Sequence, residues 1–92
     1  MTGARKNMAD PGEMKNKFYA WSNEVFSQST FDPKSTNLMA LVAALTLGSD
    51  GAVSYFYFSA KKAGATDAEL AAAAYIAAAV KGMNLYTLMP KE

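Results

Sequence analysis

The chain has 92 residues, of which 51% are hydrophobic and 18% are charged, and its formal net charge at pH 7 is +1. A domain of this length buries a small share of its surface, so the apolar excess favours burial between the subunits of a homo-oligomer. The nine basic residues are scattered along the chain rather than clustered, which argues against a nucleic-acid partner.

The sequence contains no cysteine and no histidine. The chain therefore has no disulfide, no thiolate nucleophile and no peroxidatic sulfur. It also lacks the side chain best suited to proton transfer near neutral pH, which is the commonest ligand of zinc, copper and iron. We predict neither a metal site nor a cofactor. Aspartate, glutamate, lysine and tyrosine remain as acids and bases, and each would need a large pKa shift.

Membrane insertion and export are not expected. The apolar runs at 38–47 and 70–80 are shorter than the roughly 20 residues that span a bilayer. Near the start of the chain, Arg5 and Lys6 lead into acidic residues instead of the apolar run of a signal peptide. A cytoplasmic location follows as the default expectation.

Residues 1–9 show no periodicity and predict a disordered tail, whereas residues 10–92 predict a single helical domain. The first helix is predicted to begin at Asp10, which is followed by a proline and, two residues later, by Glu13. It ends near Gln28. Its apolar residues recur at helical spacing: Met14, Phe18, Trp21 and Val25.

The second and third helices are delimited by caps and glycines. Asp32 followed by Pro33 predicts the start of the second helix, and Gly48 predicts its end. The apolar stripe of this helix comprises Leu38, Leu41, Val42 and Leu45. The third helix begins at Ser49 or Asp50, either of which can accept hydrogen bonds from first-turn amides. It is predicted to run to Ala63, with Gly64 as its stop.

A capping box, Thr66-Asp67-Ala68-Glu69, predicts the start of an alanine-rich fourth helix from Asp67 to Lys81, which Gly82 is expected to end. The remaining tail predicts one short turn around residues 85–88, before Pro90. The aromatic run at 54–58 has the composition of a strand, but its flanking caps favour a helix. The sequence therefore predicts an all-α protein of four to five helices.

These landmarks, in their order, resemble a known family. They are the run Phe31-Asp32-Pro33-Lys34-Ser35-Thr36-Asn37-Leu38, the glycine Gly48, the tetrad Ser49-Asp50-Gly51-Ala52 and the segment Ala63-Gly64-Ala65-Thr66-Asp67-Ala68-Glu69. Together they are similar to the carboxymuconolactone decarboxylase family, including its alkylhydroperoxidase D-like branch, over roughly residues 13–83. The resemblance implies a small all-α domain whose helical hairpins assemble into homotrimers or homohexamers.

The resemblance also locates a site whose functional groups are replaced. In redox members of the family, a helix opens with Cys-x-x-Cys, a histidine follows four residues after the second cysteine, and a glutamate lies twelve residues before the first. Carried onto this chain, these positions hold Ser49, Ala52, Phe56 and Asn37, in that order. The resemblance thus implies that no catalytic residue remains there and that the protein is a non-redox relative, or pseudoenzyme.

Three functions are compatible with the sequence, and whether the protein is an enzyme stays open, with the balance against it. The first is an oligomeric binding or structural module that has lost peroxidase chemistry. The second is a cofactor-free, decarboxylase-like enzyme in which Asp50, Tyr55 or a residue from a neighbouring subunit handles protons for a small acidic substrate. The third is an inactive partner of a cysteine-containing paralogue. Ser49 is expected to act as a helix cap rather than a nucleophile, since no histidine can activate it.

The aromatic residues of the third helix point in several directions. Helical spacing predicts that one face packs in the core: Ala52, Phe56, Ser59, Ala60 and Ala63. Tyr55 and Phe58 then point elsewhere, and we expect them at a subunit interface. The alternative is a pocket for a small apolar ligand lined by Trp21, Tyr55 and Tyr75.

Overall fold

The computed structural model describes residues 11–90, which form four α-helices without a strand. The helices are α1 (Pro11–Ser27), α2 (Pro33–Leu47), α3 (Asp50–Lys62) and α4 (Asp67–Leu88). They confirm the all-α prediction. The predicted disorder of residues 1–9 and the predicted cap at Asp10 lie outside the described residues. None of the helices in residues 11–90 is long and apolar enough to cross a bilayer.

The chain divides between Thr30 and Phe31 into two compact units. The first unit contains α1, in which no residue is buried. Along this helix the Phe18 ring meets the Tyr19 ring edge-to-face, with centroids 5.5 Å apart, and lies 6.0 Å from the Trp21 ring. The predicted apolar stripe of α1 is therefore an exposed aromatic row. The single domain predicted for residues 10–92 stays a prediction.

Helix α2 begins and ends as its sequence predicts. The Asp32 carboxylate accepts hydrogen bonds from the Ser35 backbone N–H at 2.8 Å and from the Ser35 hydroxyl at 3.1 Å. The first of these bonds is the main reason why the pKa of Asp32 lies below its usual value. At the other end Gly48 has φ +75° and its N–H donates to the Ala44 carbonyl at 2.9 Å, which closes the helix.

Helix α3 follows after a connection of only two residues. Ser49 occupies the N-cap position, and its carbonyl accepts the Val53 N–H at 2.9 Å, but its hydroxyl accepts no bond from the first turn. The expectation that Ser49 caps through its side chain is therefore wrong. Its ψ is 105°, whereas the working caps Asp32 and Thr66 have ψ of 163° and 164°. The Ser49 N–H is bonded to the Ala44 carbonyl at 3.2 Å, and this tight turn holds the backbone away from capping geometry.

Helix α4 begins with the predicted capping box. The Glu69 N–H donates to the Thr66 hydroxyl at 3.1 Å, and the Thr66 N–H donates to the Glu69 carboxylate at 2.8 Å. That carboxylate also meets the Lys34 ammonium at 3.0 Å. The Thr66 amide first, and Lys34 second, lower the pKa of Glu69. One carboxylate thus caps α4 and joins it to the first turn of α2.

The core of the second unit lies where α2, α3 and α4 meet. Four buried side chains form it: Leu41, Ala60, Leu70 and Ala73. Ala60 has no exposed surface, and its small side chain lets the helices approach closely. Half-buried apolar residues surround this cluster: Leu38, Val42, Leu45, Val53, Phe56, Tyr57 and Ala65. Helix α2 packs against both α3 and α4, so it is the central element of the unit.

Helix α4 is longer than the sequence predicts. The expected end at Gly82 and the separate turn at residues 85–88 are wrong, because one helix runs from Asp67 to Leu88. Gly82 does not adopt the positive φ of a helix stop, unlike Gly48 and Gly64. The alanine-rich sequence before it has high helix propensity and carries the helix through the glycine. The helix ends before Met89, whose extended backbone, φ −71° and ψ 138°, suits a residue that precedes proline.

Because Gly82 lies inside a helix, Gly82→Ala should stabilise the protein by about 0.5–1 kcal/mol. An added Cβ meets nothing within 4 Å at this position. Gly48→Ala is the matched control, since its φ of +75° should make that change destabilising by about 1 kcal/mol. Chemical unfolding followed by circular dichroism measures both. A loss of stability in Gly82→Ala would contradict the continuous helix.

Candidate functional site

Three of the four positions that the family resemblance assigns to a redox site lie at the start of α3. Ser49 is its N-cap, and Ala52 and Phe56 follow in the first two turns. The spacing of four residues places Ala52 and Phe56 on one helix face. Both are half-buried, whereas Ser49 is exposed. The backbone of this segment therefore keeps the layout of a helix N-terminus that could favour a thiolate, but the side chains at these three positions hold no thiol, imidazole or carboxylate.

Phe56 belongs to the packing of the core. Its side chain is half-buried and packs against the cluster that contains Leu41 and Ala60. Its ring also meets the Tyr55 ring edge-to-face, with centroids 5.0 Å apart. This confirms the predicted core face of α3, on which Ala60 is buried. A phenyl ring in this place contributes apolar burial and cannot transfer a proton.

Asn37 supplies the fourth position from the beginning of α2. Its side-chain amide donates to the Pro33 carbonyl at 2.8 Å, one turn earlier in the same helix. The residue is half-buried. A carboxamide is neither an acid nor a base near neutral pH, so it does not carry protons as a carboxylic acid does. Asn37 instead makes a local hydrogen bond to its own helix.

Asp50 adjoins Ser49 in the first turn of α3, whereas the two lysines at the end of the helix lie far from it. The Lys61 ammonium lies 5.7 Å from the centroid of the Tyr57 ring. At 1.5 Å per residue, Lys61 and Lys62 stand about 18 Å or more from Ser49 along the helix, which is beyond the reach of a lysine side chain. Within residues 11–90, no three Cys, His, Asp or Glu side chains cluster as metal ligands would.

The residues predicted to line a ligand pocket lie on three different helices. Tyr55 lies on α3 and is 63% exposed, and Tyr75 lies on α4 and is 72% exposed. Trp21 belongs to α1, in the first unit. The exposure of Tyr55 and Phe58 confirms that both point away from the core. A pocket formed by the three predicted residues stays a prediction.

Tyr55 does line a different feature, an open groove along one face of α3. The groove is formed by Gly51, Ser54, Tyr55, Phe58, Ser59 and Lys62. Apart from Tyr55, the residues of this groove were not predicted to line a site, and Ser59, which is half-buried, was predicted on the core face. The spacing of three and four residues between the groove residues is the signal that groups them on one face. We call this surface the α3 groove.

Residues 12–87 match the sequence model of the carboxymuconolactone decarboxylase family. The chain belongs to this family. The matched range covers nearly all of α1 to α4, including the four positions described above. No curated protein and no solved structure is significantly similar to the chain. The family membership therefore rests on the family-wide pattern of helices and landmarks rather than on one near relative.

If Phe56 is a packing residue, Phe56→Ala should reduce the free energy of unfolding by about 1–3 kcal/mol, less than for a fully buried phenylalanine. Leu47→Ala is the matched control, since Leu47 is 82% exposed and its removal should change stability by no more than about 0.5 kcal/mol. Urea titration followed by tryptophan fluorescence and by circular dichroism measures both variants. Equal effects at the two positions would contradict the packing role.

Proposed function

We propose that this protein is a non-redox member of the carboxymuconolactone decarboxylase family, related to its alkylhydroperoxidase D-like branch, that acts as an oligomeric binding or structural module. One observation carries the proposal. The chain contains no thiol and no imidazole, and the positions that correspond to the redox groups hold Asn37, Ser49, Ala52 and Phe56. Peroxidase chemistry is lost under this proposal, whereas the helical framework is retained.

The chemistry of hydroperoxide reduction supports this reading. A thiolate attacks the O–O bond and becomes a sulfenic acid, an alcohol leaves, and a second thiol then forms a disulfide with loss of water. Serine and alanine cannot supply these two electrons. The half-buried Phe56, packed against the core, further supports a segment that now contributes to packing instead of proton transfer.

Exposed apolar surface supports self-assembly. Buried residues of α4 end at Ala77, yet the helix continues to Leu88 with large apolar side chains that are between 51% and 78% exposed: Val80, Met83, Leu85, Tyr86 and Leu88. Large contiguous apolar surface on a small chain is typical of protein interfaces. We therefore propose that the protein assembles with itself as a homotrimer or homohexamer in the cytoplasm.

The loss of redox chemistry predicts that the natural protein, mixed with a hydroperoxide and a dithiol reductant, consumes peroxide only at the rate of the blank. The double change Ser49→Cys and Ala52→Cys should restore a reaction of the protein with hydroperoxide, because a helix N-terminus favours the thiolate. Ser49→Ala with Ala52→Ser is the thiol-free control.

Peroxide loss is followed by a colorimetric assay, and disulfide formation between the two introduced thiols is followed by mass spectrometry. Turnover by the natural protein above the blank, at a rate that Ser49→Ala leaves unchanged, would contradict the proposed loss of function. Activity that appears only after a cysteine-containing paralogue is added would instead favour the inactive-partner alternative.

Self-assembly predicts a solution mass of three or six times the 9.8 kDa of one chain at micromolar concentration. Size-exclusion chromatography with light scattering measures this mass. Leu85→Glu should lower it, since Leu85 is 65% exposed and a buried unpaired charge opposes association. Lys81→Glu is the control for the effect of an added negative charge, because Lys81 is already an exposed charged residue on the same helix. A monomer in the natural protein would refute the assembly proposal.

A further inference from the structure

The α3 groove has a pattern that is nearly the same when it is read from either end. From the N-terminal end its residues are glycine, serine, tyrosine, phenylalanine, serine and lysine, at positions 51, 54, 55, 58, 59 and 62. The spacings between them are three, one, three, one and three residues. An aromatic pair therefore lies at the centre, and one serine flanks each ring at the outer side.

Such a face is complementary to a second copy of itself in antiparallel orientation. A two-fold axis perpendicular to α3 can pass midway between Phe56 and Tyr57. Tyr55 then lies at the same height along the helix as Phe58 of the partner subunit. Ser54 then stands level with the partner's Ser59. On each side of the axis, one aromatic ring lies beside a partner serine. An aromatic layer thus lies at the centre with a serine layer on either side of it, and the small serines let the two helices approach each other.

The charges at the two ends of α3 are complementary in the same arrangement. Asp50 lies in the first turn, Lys62 ends the helix, and both are exposed. They are twelve residues apart, or about 18 Å along the axis. Antiparallel pairing places the partner's Lys62 level with Gly51, beside Asp50. Gly51 has no side chain and open space around it, which leaves room for a lysine. The opposed helix dipoles add to the attraction.

We propose that the α3 groove is a two-fold interface in which α3 pairs antiparallel with α3 of a second copy of this chain. This inference rests on the self-assembly proposed above and makes it more specific. A cyclic trimer contains no two-fold axis, whereas a dimer and a hexamer of two stacked trimers do. The contact therefore selects the homohexamer over the homotrimer. Tyr55 and Phe58, 63% and 61% exposed in the single chain, become its buried centre.

A single introduced cysteine tests the geometry, since the natural chain has none. With helix axes roughly 8.5 Å apart, the two Phe58 Cα atoms lie about 6 Å from each other, which is within the range of disulfides. Phe58→Cys should therefore form a disulfide-linked dimer under mild oxidation. Leu47→Cys is the control, because Leu47 is 82% exposed and lies outside the groove. The first variant should cross-link faster by about tenfold or more.

Charge exchange tests the orientation. In the Phe58→Cys background, Asp50→Lys and Lys62→Asp should each slow cross-linking at low salt. Asp50→Lys combined with Lys62→Asp should restore it, because the exchanged pair attracts again across the axis. Circular dichroism confirms that each variant folds. A double variant that cross-links no faster than either single change overturns the antiparallel register.

The outcomes separate this interface from the proposal on which it rests. An oligomer by light scattering in which Phe58→Cys cross-links no faster than Leu47→Cys overturns the α3 interface and leaves self-assembly intact. A monomer overturns both. If the thiol of the Phe58→Cys variant is shielded from alkylation in a monomer, another occupant such as a small apolar ligand fills the groove, and the interface is also overturned.

Discussion

The second unit depends on the close contact of three helices at one alanine. Ala60 of α3 has no exposed surface and belongs to the same buried cluster as Leu41 of α2 and Leu70 and Ala73 of α4. Because two of the four buried side chains are alanines, the core is thin and its helices are close together. A thin core buries little apolar area. The larger apolar side chains of α3 and α4 therefore remain outside, which explains how a small chain can be rich in hydrophobic residues and still expose them.

Local signals predicted most of the helix boundaries because each depends on a few neighbouring atoms. Asp32 before Pro33 and the box of Thr66 and Glu69 work as caps within four residues of sequence. The wrong predictions share one cause, because one residue type can adopt more than one backbone conformation. Gly48 takes a positive φ, whereas Gly82 stays helical inside an alanine-rich segment. Ser49 begins a helix as expected, but the turn from α2 leaves its hydroxyl unused.

The function of the four positions as a site stays a prediction, and only part of their local structure could be predicted from the sequence. Family resemblance located Asn37, Ser49, Ala52 and Phe56, and helical spacing placed Phe56 toward the core. The hydrogen bond from Asn37 to the Pro33 carbonyl could not be read from composition, because an asparagine side chain has many partners within reach. The α3 groove could have been found from the spacing of three and four residues between its members, although glycine and serine alone do not indicate a surface site.

The inner face of α3 and the α3 groove lie on one helix. Ala52, Phe56 and Ala60 face the core, and the packing of Phe56 against the buried cluster helps to hold α3 in place. A firmly held α3 presents its outer face, with Tyr55 and Phe58, in one fixed orientation. A rigid face loses less conformational entropy when it associates. The phenyl ring of Phe56 thus links the two faces of α3, because its packing in the core helps to fix the helix whose outer face exposes Tyr55 and Phe58.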